Sequence, residues 1–385
     1  MEHERMTSPR YRKLISADSH VMEPPDLWWN ALGSKFGDRT PRLLDEYKGE
    51  KGSFFYSGYL GSPVQRVRIP LSNETEAAAF EAEERGLGAV GYDPEVRVKW
   101  QAEADIDAEV MNPTTMLGVM RNPDVPVLQA CSEVFNDWMA EFASYDPQRL
   151  VGVSVIPMHE VDWAVGELER TLNRGLKGPM INCQAPEGCP PYRDPVYDKF
   201  WAAAEEAGVP ITLHILTGRV VDALFLARIG QTPEETSANP GLWIDLFIEA
   251  QTVLANDFIY GGILDRFPRL KVLCSEFEVS WIPGFMARLD QIEDVAPRLN
   301  LPRLEMKASE YMKTRVFHGF IDDTAAEFAI PHVGADRVLW GSDFPHIRSI
   351  GLDAQSTLVQ QLQTFSAEDQ ARLVGGNAVE VFGLQ

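Results

Sequence analysis

Asp18, His20, His214 and Asp343 are the residues whose types and placing suit metal chemistry. Each stands at the end of a short apolar or β-branched run: Lys13-Leu14-Ile15-Ser16-Ala17, Val209-Pro210-Ile211-Thr212-Leu213, and Arg337-Val338-Leu339-Trp340-Gly341-Ser342. Strands that end in His or Asp deliver side chains to one mouth of a parallel barrel. Within Asp18-x-His20, side chains two apart on a strand point the same way. Two imidazoles and two carboxylates suit one divalent ion, Zn²⁺ first and Mn²⁺ as the alternative, with a position left for water or substrate. A carboxylate such as Asp343 that touches both metal and water can take the proton as that water attacks.

The chain has seven histidines, so each can be weighed. His318, in Val316-Phe317-His318-Gly319-Phe320, is a candidate donor, with a satisfied buried histidine as the structural alternative. His346 follows Asp343 by three residues and is a candidate pocket or supporting residue. His159 reads as a loop residue, and His3 and His332 lie in a polar terminus and a loop. Arg219 and Arg348 could clamp a substrate carboxylate, although surface ion pairs would explain both. Trp28, Trp29, Tyr56 and Tyr59 could form an apolar wall for a ring or could be core.

Elements that would position these residues are visible in the pattern. Strand candidates fall at 14–20, 107–112, 150–157, 176–183, 209–214, 271–277, 315–320 and 337–343. Between them lie helical stripes such as Val127, Leu128, Cys131, Val134, Phe135, Trp138, Met139 and Phe142, then 160–173, 195–207 and a long helix over 240–265. Gly175 and Gly208 read as helix stops, and Phe267-Pro268 as another. Strand-helix alternation of this kind predicts an α/β fold, a (β/α)8 TIM barrel. The gap between the first two strands is too long for an ordinary connection. Residues 24–98 are therefore expected to form a lid-like insertion in a single domain spanning 1–385. Within it, 53–59 and 64–69 read as hairpin arms about Leu60-Gly61-Ser62-Pro63.

Composition narrows the function classes. A chain of 385 residues, 45% hydrophobic, can bury a large core. Its net charge of −22 argues against nucleic acid or an anionic membrane as partner. Cys131, Cys183, Cys189 and Cys274 are too scattered for a disulfide framework. No apolar run is long enough to span a membrane, and the start is polar, so a cytoplasmic location is expected. A small-molecule substrate remains, and the 240–265 helix offers a surface on which a homodimer could form.

The chain resembles the amidohydrolase superfamily, in the amidohydrolase-2 branch that includes aminocarboxymuconate-semialdehyde, resorcylate and carboxyvanillate decarboxylases. The resemblance rests on Ser16-Ala17-Asp18-Ser19-His20-Val21-Met22-Glu23-Pro24, on Gly91-Tyr92-Asp93-Pro94 through Asn112-Pro113-Thr114, and on Asp194-Pro195-Val196-Tyr197 through His214. Trp340-Gly341-Ser342-Asp343-Phe344-Pro345-His346 and Gly376-Asn377-Ala378 complete it. It implies that Asp18, His20, His214 and Asp343 hold a single metal ion. The sixth strand departs from the family: a histidine found in many relatives is missing from Lys271-Val272-Leu273-Cys274-Ser275-Glu276-Phe277. Counting from the strand puts Glu276 at that position, and counting back from Arg288-Leu289-Asp290 puts Phe277 there. Glu276 could serve as acid or base, or be a structural carboxylate. The leading expectation is a metal-dependent hydrolase acting on an amide, ester, lactone or activated C–C bond, with His318 aiding the oxyanion. Alternatives are a non-oxidative decarboxylase of an aromatic or unsaturated acid, and an inactive binding protein on the same fold.

Overall fold

The computed structural model describes residues 11, 13–59, 61–63, 89–217, 240–298, 300–346 and 349–384. Its centre is a set of parallel strands at the predicted places. They are β1 (Ile15–His20), β5 (Ala108–Asn112), β6 (Leu150–Gly152) continuing as β7 (Ser154–Val155), β8 (Pro179–Ile181), β9 (Pro210–His214), β10 (Lys271–Ser275), β11 (Val316–Phe320) and β12 (Val338–Trp340). Insertion strands β2 (Arg42–Tyr47), β3 (Glu50–Tyr56) and β4 (Gly61–Pro63) lie apart, in an antiparallel sheet.

Backbone pairing runs β1-β5-β6 in one arc and β7 to β12 in the other. At Val153 the third barrel strand turns from one neighbour to the next: Val153 donates to Met111 O and Ser154 to Gly178 O. Between β12 and β1 the ladder is not continuous. Asp343 N–H donates to Asp18 O (2.7 Å) and His20 N–H to Phe344 O (2.8 Å), at the ends of the two strands. Gly341 permits this approach, since a Cβ there would stand 2.4 Å from Asp18 Cβ. Hence the fold is that of a TIM barrel with one seam.

Period-2 alternation sorts the strand side chains. Ile211, Leu213, Val272, Cys274, Val316 and Phe320 pack with helix residues such as Phe200, Trp201 and Phe258. Leu273, Phe317 and Leu339 pack with Ile15 and Ala17 on the other face. The predicted stripe at 127–142 is the helix Val125–Ser144, capped by Asp124, with Val127, Leu128, Cys131, Phe135, Met139 and Phe142 buried.

Two local expectations change. The expected 240–265 helix is Pro240–Val253, a π-helical turn at Leu254–Ile259, and Ile263–Arg266. It breaks at Gly261-Gly262: Gly262 has φ +75°, and a Cβ on Gly261 would meet Asp257 O at 2.4 Å. In the insertion, Gly61–Pro63 is strand rather than turn and pairs with Phe54–Tyr56, while 64–69 lies outside the described residues. The missed partner, β2, joins β3 through Lys48-Gly49, both at positive φ as a tight hairpin turn requires. All four cysteines are free. Among the described residues, no helix is long and apolar enough to cross a membrane.

Candidate metal centre

Two imidazoles and two carboxylates meet where β1, β9 and β12 end. Asp18 and Asp343 are 2% exposed, and His20 and His214 are fully buried. His20 Nε2 lies 3.4 Å from Asp18 Oδ1 and 3.3 Å from Asp343 Oδ1. His214 Nε2 lies 3.6 Å from Asp18 Oδ1 and 3.4 Å from Glu276 Oε2. Among the described residues, two overlapping groups have ligand atoms close enough for one ion: Asp18, His20 and His214, and His20, Glu276, Asp343 and His346.

The donor set fits a divalent ion. His20 Nδ1 contacts Pro113 O at 2.7 Å, and His214 Nδ1 contacts Ile215 O at 2.8 Å. A carbonyl can only accept, so each Nδ1 carries the proton and each Nε2 presents a lone pair. Both Nε2 atoms are buried without a hydrogen-bond partner. A buried nitrogen lone pair left open in this way is costly unless a cation takes it.

Charge follows from the same contacts. Burial alone would raise the Asp18 carboxyl, but the neighbouring His214 and His20 imidazoles hold it well below the usual carboxylate range. Burial and the neighbouring His346 push His20 down to about 4. Burial, then the His214 charge, pushes His346 down to about 4. His214 goes the other way: burial lowers it, yet Asp18 outweighs burial and the net shift is upward.

The structure distinguishes the other candidates. Glu276, at φ +64°, faces the cluster, whereas Phe277 is fully buried in the helix-side core. The strand count therefore locates the position, and the count back from Asp290 does not. His346 joins the site: its Nδ1 is 2.7 Å from Asp343 Oδ1, its Nε2 is 3.0 Å from Thr114 Oγ1, and its ring lies over His20 at 3.9 Å. His318 is not brought to the cluster. It shares the strand face of Val316 and Phe320 and packs its ring edge-on to Trp281, where burial pushes it down to about 3. Arg219 and Arg348 lie outside the described residues. Trp28 is core, its indole N–H donating to Cys131 O.

Supporting residues escaped the sequence reading. Asn112 Nδ2 donates to Asp18 Oδ1 (2.7 Å) and Ser275 Oγ to Asp18 Oδ2 (2.9 Å). Both end barrel strands, so the position that marked the ligands could have marked them too.

A family model described as amidohydrolase matches residues 69–384. A 2-amino-3-carboxymuconate-6-semialdehyde decarboxylase of Dictyostelium discoideum is 25% identical over 76% of this chain and 77% of its own. A gamma-resorcylate decarboxylase of Rhizobium sp. is 28% identical over 54% of this chain, which spans 64% of that relative, just under two thirds. An amidohydrolase structure from Mycobacterium avium subsp. paratuberculosis superposes with TM-score 0.73 at 21% identity, covering 96% of this chain and 99% of that one. A dihydroxybenzoic acid decarboxylase structure from Polaromonas sp. with bound manganese gives TM-score 0.65 at 17% identity, covering 97% of each. At these identities the two structures establish a shared fold.

Proposed function

This chain belongs to the amidohydrolase family, and from that premise we propose that it is a metal-dependent, non-oxidative decarboxylase of an aromatic or unsaturated carboxylic acid. The hydrolase expectation is corrected: the relatives matched by sequence are decarboxylases, so attack of water on a carbonyl is set aside. The observation that carries the proposal is the pair of buried, hydrogen-bond-free Nε2 atoms of His20 and His214 beside Asp18, in a chain with those relatives.

Asp18, His20, His214 and Asp343 would hold one divalent ion, Zn²⁺ or Mn²⁺. When bound, that ion supplies positive charge for the substrate's carboxylate and an adjacent hydroxyl. Glu276 is 23% exposed against 2% for Asp18 and Asp343, so it is the carboxylate of the cluster that a substrate can reach. We assign Glu276 Oε2 the proton delivered to the carbon that loses carbon dioxide. The bond to the carboxylate carbon breaks, its electron pair is retained at the ring or alkene carbon, and the proton from Glu276 replaces the lost group. Solvent then reprotonates Glu276. His346, held between Asp343 and Thr114, orients Asp343. His318 faces the helices and is given no step. Arg219 and Arg348 are retained as cations for a second acidic group, and 24–98 as the cover of the mouth.

The test is turnover of metal-loaded protein on a panel of ortho-hydroxylated benzoic acids in D₂O. Carbon dioxide release with one deuterium at the vacated carbon is expected, and Glu276→Gln should slow it about 100-fold or more at unchanged metal content. A product that keeps its carboxylate and takes ¹⁸O from solvent would overturn the proposal.

A further inference from the structure

Arg97 lies on the helix Pro94–Glu103, which Asp93 caps through Glu95 N and Val96 N. The helix lies between β1 and β5 in the chain and is not a barrel strand, yet Arg97 is fully buried. Its Nη1 donates to the carbonyl of His20 (3.0 Å) and its Nη2 to the carbonyl of Phe344 (3.4 Å). Its Nε and Nη2 donate to the Glu109 carboxylate at 2.6 and 2.8 Å. Glu109 is fully buried on β5, and Gln101 Nε2 also donates to it (2.9 Å). Trp100 stacks on Phe344 at 3.8 Å. One guanidinium thus touches the carbonyl of one metal-site residue and that of the residue following another.

We propose that Arg97 is a positioning residue of the metal centre: with Glu109 it clasps the β1 and β12 ends across the seam and sets the spacing of His20 and Asp343. The proposal rests on the metal-centre reading above. A ladder normally fixes the stagger of neighbouring strands, and β12 and β1 lack a continuous one. Apolar packing could dock the helix without burying a charged pair, whose desolvation costs several kcal/mol. The planar fork of arginine can serve a carboxylate and two carbonyls together, which the point charge of lysine cannot reproduce. Buried serines support the same seam from behind: Ser342 N–H donates to Ser16 Oγ, and Ser19 Oγ lies 2.8 Å from both Ser16 Oγ and Ser342 Oγ.

The experiment titrates metal-stripped full-length protein with Mn²⁺, followed by electron paramagnetic resonance, alongside thermal unfolding. The double variant Arg97→Met/Glu109→Met removes both charges together, and Leu168→Ala, buried on a remote helix, is the control for lost stability. The double variant is expected to bind Mn²⁺ about 10-fold or more weakly, with an altered spectrum of the bound ion. The control should lower Tm while affinity stays within about twofold. A folded double variant with wild-type affinity and spectrum overturns the clasp. Should it not fold, Arg97→Lys is read by the same two signals, and wild-type values there overturn the clasp equally. Failure of the wild-type chain to bind Mn²⁺ or Zn²⁺ overturns the metal-centre reading, and the clasp with it.

Discussion

The two sides of the metal centre are built by different means. His214 ends β9, which pairs with β10 in unbroken register from Pro210↔Lys271 to His214↔Ser275. Its place follows from backbone hydrogen bonds that nearly any side chains would allow. Asp18, His20 and Asp343 stand at the seam between β12 and β1, and on the other side of β1 its register with β5 shifts between Ser16 and Ser19. At the seam, two backbone hydrogen bonds at the strand ends are supplemented by the Arg97 clasp, the serine hydroxyls and the close approach that Gly341 allows. A site half held by the ladder and half by side chains should show very unequal tolerance to substitution away from the ligands themselves.

The largest expected effect would test whether the halves serve one centre at all. Asp343→Ala and His214→Ala, one from each side, should both abolish metal retention and cut turnover by about 100-fold or more, checked by elemental analysis and kinetics. Metal retained in either variant would separate the halves. Next in size is Arg97→Ala, which leaves the Glu109 charge buried without its cation and should cost about 3–5 kcal/mol in denaturant unfolding. Lys99→Ala, which breaks the exposed Lys99–Glu95 pair on the same helix, should leave Tm unchanged.

A glycine pair sharpens the contrast further. Gly341→Ala pushes a methyl into Asp18 and should cost about 1–3 kcal/mol, whereas Gly284→Ala meets nothing within 4 Å inside the helix Ile282–Val295 and should gain about 0.5–1 kcal/mol. The last effect concerns pH, away from both halves. His318 falls from 6.5 to about 3 on folding, so below pH 6.5 the unfolded chain binds a proton that the folded chain refuses. Its contribution is present above pH 6.5 and is lost as pH falls toward about 3. His318→Phe should flatten the fall of unfolding free energy between pH 6 and about 4, and an unchanged slope would place the titration elsewhere.

Much of the site was legible because strand ends are legible. His20 and His214 close runs that alternate or are wholly apolar, and Asp343 follows such a run, so type and position could be read together. His318 misled for the same reason: it too is near a strand end, but one residue out of phase, on the face of Val316 and Phe320. A one-residue choice of phase on a five-residue strand decides mouth or helix layer, and local pattern does not settle it when both faces are buried.

The sequence by itself determined the barrel, its strand places and the standing of Asp18, His20, His214 and Asp343 at strand ends, because each rests on local periodicity and strand-end chemistry. Only the tertiary structure decided that Glu276 rather than Phe277 faces the cluster, that His346 joins it, and that Arg97 reaches the seam. Those outcomes depend on a positive φ after β10, on the path of the loop after β12, and on the docking of the helix Pro94–Glu103. Each rests on a contact between segments far apart in the chain, Glu276 with His214, His346 with His20 and Arg97 with Phe344, and no short window of sequence contains both partners.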